Sequence, residues 1–492
     1  MLNAANVEKM FNKIKVKYSV MPREIKASFW FLICAFLQRG ISFITTPIFT
    51  RLMTTSEYGE FSVFYSWFGI ISIITTFNLF FGVYVRGLVI YEEDKNRFTS
   101  SMQGLMFTLV IVWTCFYLLF HRYFNNLLHL TTFQMLCMLI IIWTNGVFSF
   151  WAAEQRVDLE YRRLAIVSII TSILLPVVQM VLMFTFDDKV NARIIGMVLV
   201  NVAFYPLLFA KHMIRGHCFF SLEIWKYALT FNIPLIPHYL SQTVLNSADR
   251  IMIERMIGTS QAGIYSLAYS ISQIMTVFNS AMMQTIEPWL YKKIKNNEAS
   301  SIKKVAYPAF AVIAIVNLAL IALAPELVAF FAPGEYAEAI WVIPPVAMSV
   351  YFSFLYTFFA VFEFYYEKTQ YITIATLIGA ILNIILNFIF LKIYGYYAAG
   401  YTTLVCFIFY AVFHYLFMRI LINKNLENEK VYDVRIILLM SFVFIIAGFA
   451  LLFTYELPLV RYVSVLAFIG TILVRHKMII RHVKAILSER KG

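Results

Sequence analysis

Apolar runs separated by short polar segments organise the whole chain. Each approaches the roughly 20 residues that an α-helix needs to cross about 30 Å of hydrocarbon. They cover residues 28–49, 61–84, 104–120, 133–153, 164–186, 194–210, 227–247, 261–286, 306–331, 341–362, 371–391, 396–418, 436–453 and 457–474. The pattern predicts an all-α integral membrane protein with about fourteen transmembrane helices. No connecting segment is long enough to hold a soluble domain.

Within this array one stretch recurs. RLMTTSEYGEFSVFYS, from Arg51, aligns without gaps to RMIGTSQAGIYSLAYS, from Arg255. The identities are Arg51/Arg255, Thr55/Thr259, Ser56/Ser260, Gly59/Gly263, Ser62/Ser266, Tyr65/Tyr269 and Ser66/Ser270. Gln38 and Gln242 match in the same register. Each copy follows a first span and opens the next, so the repeat unit is six spans. Six is even, so both copies enter the membrane from the same side, as parallel repeats about an axis along the membrane normal. The expected organisation is a basic cytoplasmic segment over 1–27, an N-lobe over 28–210, a cytoplasmic linker over 211–226, a C-lobe over 227–420, a cytoplasmic loop over 421–435, two added spans within 436–474 and a basic cytoplasmic tail over 475–492. Two parallel six-helix lobes are the architecture of an alternating-access carrier, with the substrate path between lobes.

Composition agrees with this reading. The chain is 61% hydrophobic and 14% charged, where a soluble protein carries about a quarter charged residues. Its net charge of +13 raises the question of a nucleic-acid partner, and the distribution answers it. With the N-terminus inside, only Arg51, Arg122, Lys189, Arg193, Arg250, Arg255, Lys392 and Arg461 fall on outer segments, and Arg39 lies within a span. The remaining basic residues, most of the 40, lie on the cytoplasmic side. This is the positive-inside distribution, so both termini are expected in the cytoplasm and no nucleic acid is expected as partner. Val7, Met10, Phe11 and Ile14 share a helical face beside Lys9, Lys13, Lys15 and Lys17, which suits either an interfacial helix on an anionic leaflet or a simple topology tag. No small-residue cleavage site follows the first apolar run, so the first span is expected to be a permanent anchor. Four of the five cysteines lie in apolar runs and none forms a CxxC pair, which leaves neither disulfides nor a metal site to expect. No Walker motif, Gly-rich phosphate loop or HExxH is present, so the chain is read as a carrier with no cofactor, not as an enzyme.

Polar residues inside the spans give the candidate chemistry. In the first span Gln38, Arg39, Ser42, Thr45 and Thr46 share one helical face. In the seventh, His238, Gln242, Asn246 and Asp249 do the same, and the eighth carries Ser266, Ser270, Gln273, Ser280, Gln284 and Glu287. Lipid offers these groups no hydrogen bonds, so they are expected to face protein or water and to line one cavity. Arg39 is near the middle of its span, where a cation costs about 2.5–3.5 kcal/mol on insertion scales. Arg51 is twelve residues further, roughly 18 Å along a helix, and with Arg255 and Arg250 forms a basic outer rim. A central cation with a basic rim suits an anionic substrate. The other reading is that Arg39 pairs with Asp249 or Glu287 and ties the lobes together. Asp249, Glu287 and Glu363, with Glu326, lie near span ends. The first three are candidates for ion coupling, and each has the bland alternative of a boundary residue at the water interface.

The stretch FLQRGISFITTPIFTRLMTTSEYGEFSVFYSWFGIIS, after a basic N-terminus, resembles the opening of Wzx-type O-antigen flippases of the multidrug/oligosaccharidyl-lipid/polysaccharide exporter superfamily. The shared features are the Arg of the first span, the Pro before the outer loop and R-L-x-T-x-x-E-Y-G. The resemblance implies a MATE-like fold and a bacterial inner-membrane flippase for undecaprenyl-pyrophosphate-linked oligosaccharide, an O-antigen or capsular repeat unit. It would move this substrate from the cytoplasmic to the periplasmic leaflet. Arg39, Gln38, Ser42, Gln242, Asn246, Arg51, Arg255 and Arg250 would contact the substrate. Membrane lipids and other polysaccharide-assembly membrane proteins would be further partners. The competing readings are a multidrug/cation antiporter of the same superfamily, which the mid-span Arg opposes, and a lipid II flippase, for which intramembrane cations are sparse. A membrane glycosyltransferase or polymerase lacks its large outer loop here, and a scaffold leaves the polar stripes unexplained.

Overall fold

A computed structural model describes residues 23–426 and 430–463. The expected N-terminal interfacial helix, most of the last span and the basic tail lie outside the described residues. Every described element is helical. The helices are α1 (Arg23–Leu52), α2 (Thr55–Thr76), α3 (Val83–Ile90), α4 (Lys95–Leu119), α5 (His121–Leu128), α6 (Thr132–Val157), α7 (Tyr161–Thr185), α8 (Lys189–Gly216), α9 (Leu222–Asn232), α10 (Ile236–Met256), α11 (Thr259–Ser272), α12 (Ile274–Lys295), α13 (Lys303–Ala322), α14 (Ala324–Phe331), α15 (Ile343–Tyr365), α16 (Thr369–Tyr394), α17 (Ala398–Asn425) and α18 (Val434–Leu452).

Local chemistry sets the ends. Thr54 and Glu57 form a reciprocal cap at the start of α2, with Glu57 N donating to Thr54 Oγ1 (3.2 Å) and Thr54 N to Glu57 Oε2 (2.8 Å). Thr131 and Gln134 do the same for α6, and Asp188 caps α8 through Asn191 N at 2.9 Å. The structure corrects four expected spans. The second, expected over 61–84, is helical over Thr55–Thr76. Phe77 and Asn78 take positive φ (50° and 56°) and end it, although the apolar run continues. The seventh, expected over 227–247, is split between α9 and α10 by a 3-10 turn over Ile233–Leu235 that contains Pro234. The eighth breaks at Gln273, between α11 and α12. The ninth breaks at Leu323, just before Pro325 at the start of α14.

The chain divides into two compact units. Unit 1 holds residues up to Leu52 and Phe68–Ile236, and unit 2 holds Met53–Trp67 and the chain from Pro237 onward. In unit 1, α8 packs along α7, α6 and α4, while α1 packs on α7. Its core joins Tyr84, Phe98 and Phe150, with the Tyr84 and Phe150 rings edge-on at 4.6 Å. In unit 2, α15 is the central column. It is apolar on every side, buried almost throughout, and packed by α17, α13, α12 and α11. A helix with no polar face belongs inside a bundle.

Candidate functional site

Unit 1 contributes the first expected row. Gln38, Arg39 and Ser42 on α1 are all exposed. Next to Arg39, a Cβ placed on Gly40 would meet no atom of the described residues within 4 Å. Thr45 and Thr46 turn their hydroxyls back to the Ser42 carbonyl (3.1 and 2.8 Å), which satisfies them within the helix and leaves the Ser42 side chain to the surroundings. Arg51 is exposed at the end of α1 and donates from a terminal nitrogen to the Pro47 carbonyl at 2.8 Å. A cation on the last carbonyls of a helix also complements its dipole.

Unit 2 contributes the second row, on α10. Gln242 and Asn246 are exposed. Arg250 lies over the Tyr269 ring at 4.2 Å and donates to the Asn246 carbonyl at 2.9 Å. The Tyr269 hydroxyl donates to Asn246 Oδ1 at 3.2 Å. Asn246, Arg250 and Tyr269 therefore form one interlocked cluster, with the guanidinium oriented by an aromatic face. Arg255 is exposed, 5.7 Å from the centre of the Trp67 ring. His238, in the same row, is tied by Nδ1 to Thr376 Oγ1 at 3.0 Å.

The acidic candidates are placed differently from the expectation. Asp249 does not share the exposure of Gln242 and Asn246. It is buried and accepts three hydrogen bonds: from Tyr265 Oη (2.6 Å), Asn387 Nδ2 (2.6 Å) and Thr403 Oγ1 (2.8 Å). These groups come from α10, α11, α16 and α17, so the carboxylate is a knot between four helices. Glu287, half-buried on α12, accepts from Tyr291 Oη at 2.9 Å. Glu363 is also buried, two residues before the end of α15. Its Oε1 stands 2.7 Å from His414 Nδ1, while Glu363 Oε2 and His414 Nε2 have no hydrogen-bond partner among the described residues. Tyr356 stacks on the His414 ring and Tyr410 meets it edge-on. Of the eighth-span stripe, Ser266 is buried, and Ser270, Ser280 and Gln284 are exposed.

Sequence reasoning missed Asn387, Thr403 and His414 as partners, because each sits in an apolar run and hydropathy does not say which helix packs against it; a weak echo 208 residues after Gln179 was the one mark on Asn387. Tyr269 carried a signal, since it is one of the positions identical between the two repeat copies.

Known proteins resemble this chain in sequence and in fold. A family described as polysaccharide biosynthesis protein matches residues 25–294. An uncharacterized membrane protein of Haemophilus influenzae is 21% identical over 377 residues, 73% of this chain and 88% of that one. Among solved structures, the lipid II flippase MurJ in an inward closed conformation superposes with a TM-score of 0.63 at 14% identity, over 91% of this chain and 99% of that chain. An inward-facing multidrug resistance MATE family transporter of the MOP superfamily gives 0.60 at 13% identity, over 80% and 96%. At such identities the structural likeness establishes a shared fold with these proteins.

Proposed function

This chain belongs to the polysaccharide biosynthesis protein family, and from that premise we propose that it is a flippase for a lipid-linked oligosaccharide, working by alternating access. The substrate we assign is an undecaprenyl-pyrophosphate-linked repeat unit of O-antigen or capsule. It passes from the cytoplasmic to the periplasmic leaflet of the bacterial inner membrane.

The observation that carries this reading is Arg39, an exposed cation in the middle of a membrane-length helix, flanked by exposed Gln38 and Ser42. A guanidinium in an apolar span is costly, and its fork of donors matches a phosphate geometrically. A pyrophosphate supplies the matching anion, and sugars suit the amides of Gln38, Gln242 and Asn246. Arg51, Arg250 and Arg255 supply further positive charge along the route. No bond is made or broken in such a translocation, so the residues bind and release in turn. For a cationic drug the same row would be repulsive, which sets the antiporter reading second.

The test uses purified full-length protein in proteoliposomes with a fluorescent lipid-linked oligosaccharide and a membrane-impermeant quencher. Transbilayer movement faster than in protein-free vesicles supports the assignment. Uptake of a cationic dye, with no movement of the glycolipid, would replace it by the antiporter.

A further inference from the structure

Unit 1 holds a cavity of about 300 Å³ that the transport reading does not use. It opens where α6 and α8 end and α7 begins. Arg163, Lys211 and Arg215 line it, and so does Gln155. The three cations are exposed and take part in none of the salt bridges found in unit 1 among the described residues, which join Lys95 to Asp158, Arg97 to Asp94 and His212 to Glu154. Glu154, the neighbouring acid, is buried and turned to His212 Nε2 at 3.0 Å, and the charges of Lys95 and Arg215 also act on it. His212 is held from its other side by Gln103. Glu154 is thus engaged and the rim stays cationic.

Two features point to a ligand. Helix stability explains Arg215, because cations favour the last turn of a helix. It does not explain Arg163, which sits in the first turn of α7, where the dipole disfavours positive charge. A bound anion would offset that cost. Gln155, which also lines the cavity, is buried, and its Oε1 has no hydrogen-bond partner among the described residues, a polar atom left unpaired beside the cations. The remaining wall is apolar. Ile166 is exposed one turn beyond Arg163, and Leu208 stands one turn before Lys211 and His212, so an alkyl or prenyl chain leaving the cations would run along apolar side chains.

We propose that this cavity binds a lipid-borne phosphate, the phosphate on Arg163, Lys211 and Arg215 and the lipid chain along α7. The cations lie on the two segments, 154–163 and 211–226, that the charge distribution assigns to the cytoplasm, and the ligand is accordingly a lipid of that leaflet. The site is distinct from the Arg39 row and stands or falls independently of it.

Binding of fluorescent phosphatidylglycerol and of a fluorescent prenyl diphosphate to the purified full-length protein in detergent tests this. The variants, each carrying Arg39→Ala so that the diphosphate probe does not read the Arg39 row, are the triple R163Q/K211Q/R215Q and a control triple, K303Q/K304Q/K368Q, which removes the same charge from exposed positions in unit 2. The pocket triple is expected to weaken binding roughly a hundredfold, each surface cation contributing about 1 kcal/mol toward an anionic lipid; the control is expected to leave it nearly unchanged. Arg163→Gln alone, a single exposed change, is expected to weaken it about fivefold, and serves if the triple is not monodisperse. A preference for phosphatidylglycerol assigns a structural phospholipid, and a preference for the diphosphate assigns the headgroup of the transported lipid. Equal losses in both triples overturn the site, as does phosphatidylcholine binding as tightly as phosphatidylglycerol. Inorganic pyrophosphate competing as well as either lipid overturns the lipid assignment.

Discussion

Gly59 and Gly263 pack against each other reciprocally within unit 2. A Cβ on Gly59 would overlap the Thr259 carbonyl oxygen and stand 2.8 Å from Gly263 N, while one on Gly263 would overlap the Thr55 carbonyl oxygen and stand 3.0 Å from Gly59 N. Between them the Thr55 and Ser260 hydroxyls are hydrogen-bonded at 2.7 Å. The two repeat copies thus form one crossing of α2 with α11, each with a small residue four positions before its glycine. Small-xxx-small spacing is how membrane helices bring their backbones together. The identities Thr55/Thr259, Ser56/Ser260 and Gly59/Gly263 have this contact as their physical reason.

Gly59→Ala should therefore destabilise the protein by about 1–3 kcal/mol, because the obstacle is backbone and cannot turn aside. The bare helix propensity change runs the other way, by up to about 1 kcal/mol in favour of Ala. Gly40→Ala isolates that effect, since no atom of the described residues lies within 4 Å of its Cβ. Thermal unfolding of the two variants in detergent should place Gly59→Ala below the parent and Gly40→Ala level with it or above. Matching curves would remove the close crossing as a stabilising feature.

Replacing Arg39 tests the substrate row. Arg39→Ala should insert and purify normally, because the side chain is exposed, yet lose about thirtyfold or more in glycolipid translocation, the loss expected when one partner of a charged contact is removed. Arg39→Lys keeps the charge without the bidentate fork and should retain part of the rate. Unaltered surface polysaccharide in cells carrying only Arg39→Ala would show that this cation is not a substrate contact.

The two buried acids of unit 2 should behave differently. Asp249 has three donors aimed at it, so Asp249→Leu strands three polar groups at about 1–3 kcal/mol each and should deplete folded protein. Asp249→Asn keeps an acceptor and should transport. Glu363 shares a single contact with His414, and each partner has an atom without a hydrogen bond. This pair is therefore the candidate we test for ion coupling, with the Tyr356 and Tyr410 rings packed on His414. Glu363→Gln should flatten the dependence of transport rate on pH in proteoliposomes, whereas Asp249→Asn should preserve it. The opposite pattern would move the coupling role to Asp249.

The helical array was legible because apolar length is a strong signal, and the repeat because its identities are polar residues in an apolar background. The helix end at Thr76 was not legible. Phe77 and Asn78 end the helix inside a run, Phe77 to Val83, that reads as more span. Asp249 and Glu363 looked like boundary residues because hydropathy places them along the membrane normal and says nothing of neighbours. Their partners Asn387, Thr403 and His414 lie more than 50 positions away in the chain. The cavity of unit 1 was hidden for the same reason. Arg163, Lys211 and Arg215 read as topology charges, and only the packing of α7 on α8 gathers them with Gln155.

Orientation can be tested with the native cysteines. Cys34, Cys137 and Cys406 are buried, and Cys115 is exposed within α4, where it faces lipid if that helix spans the membrane. Cys218 is partly exposed in the turn after α8, on the segment that charge counting assigns to the cytoplasm. Only a thiol in water forms the thiolate that a maleimide attacks. A membrane-impermeant maleimide added to inverted vesicles of a Cys115→Ala variant should label Cys218, and the same reagent added to spheroplasts should not. Asp187, exposed at the far end of α7, supplies the mirror image: Asp187→Cys in a cysteine-free background should react from spheroplasts alone. Labelling of Cys218 from the outside would invert the topology, and with it the leaflet from which Arg163, Lys211 and Arg215 draw their lipid.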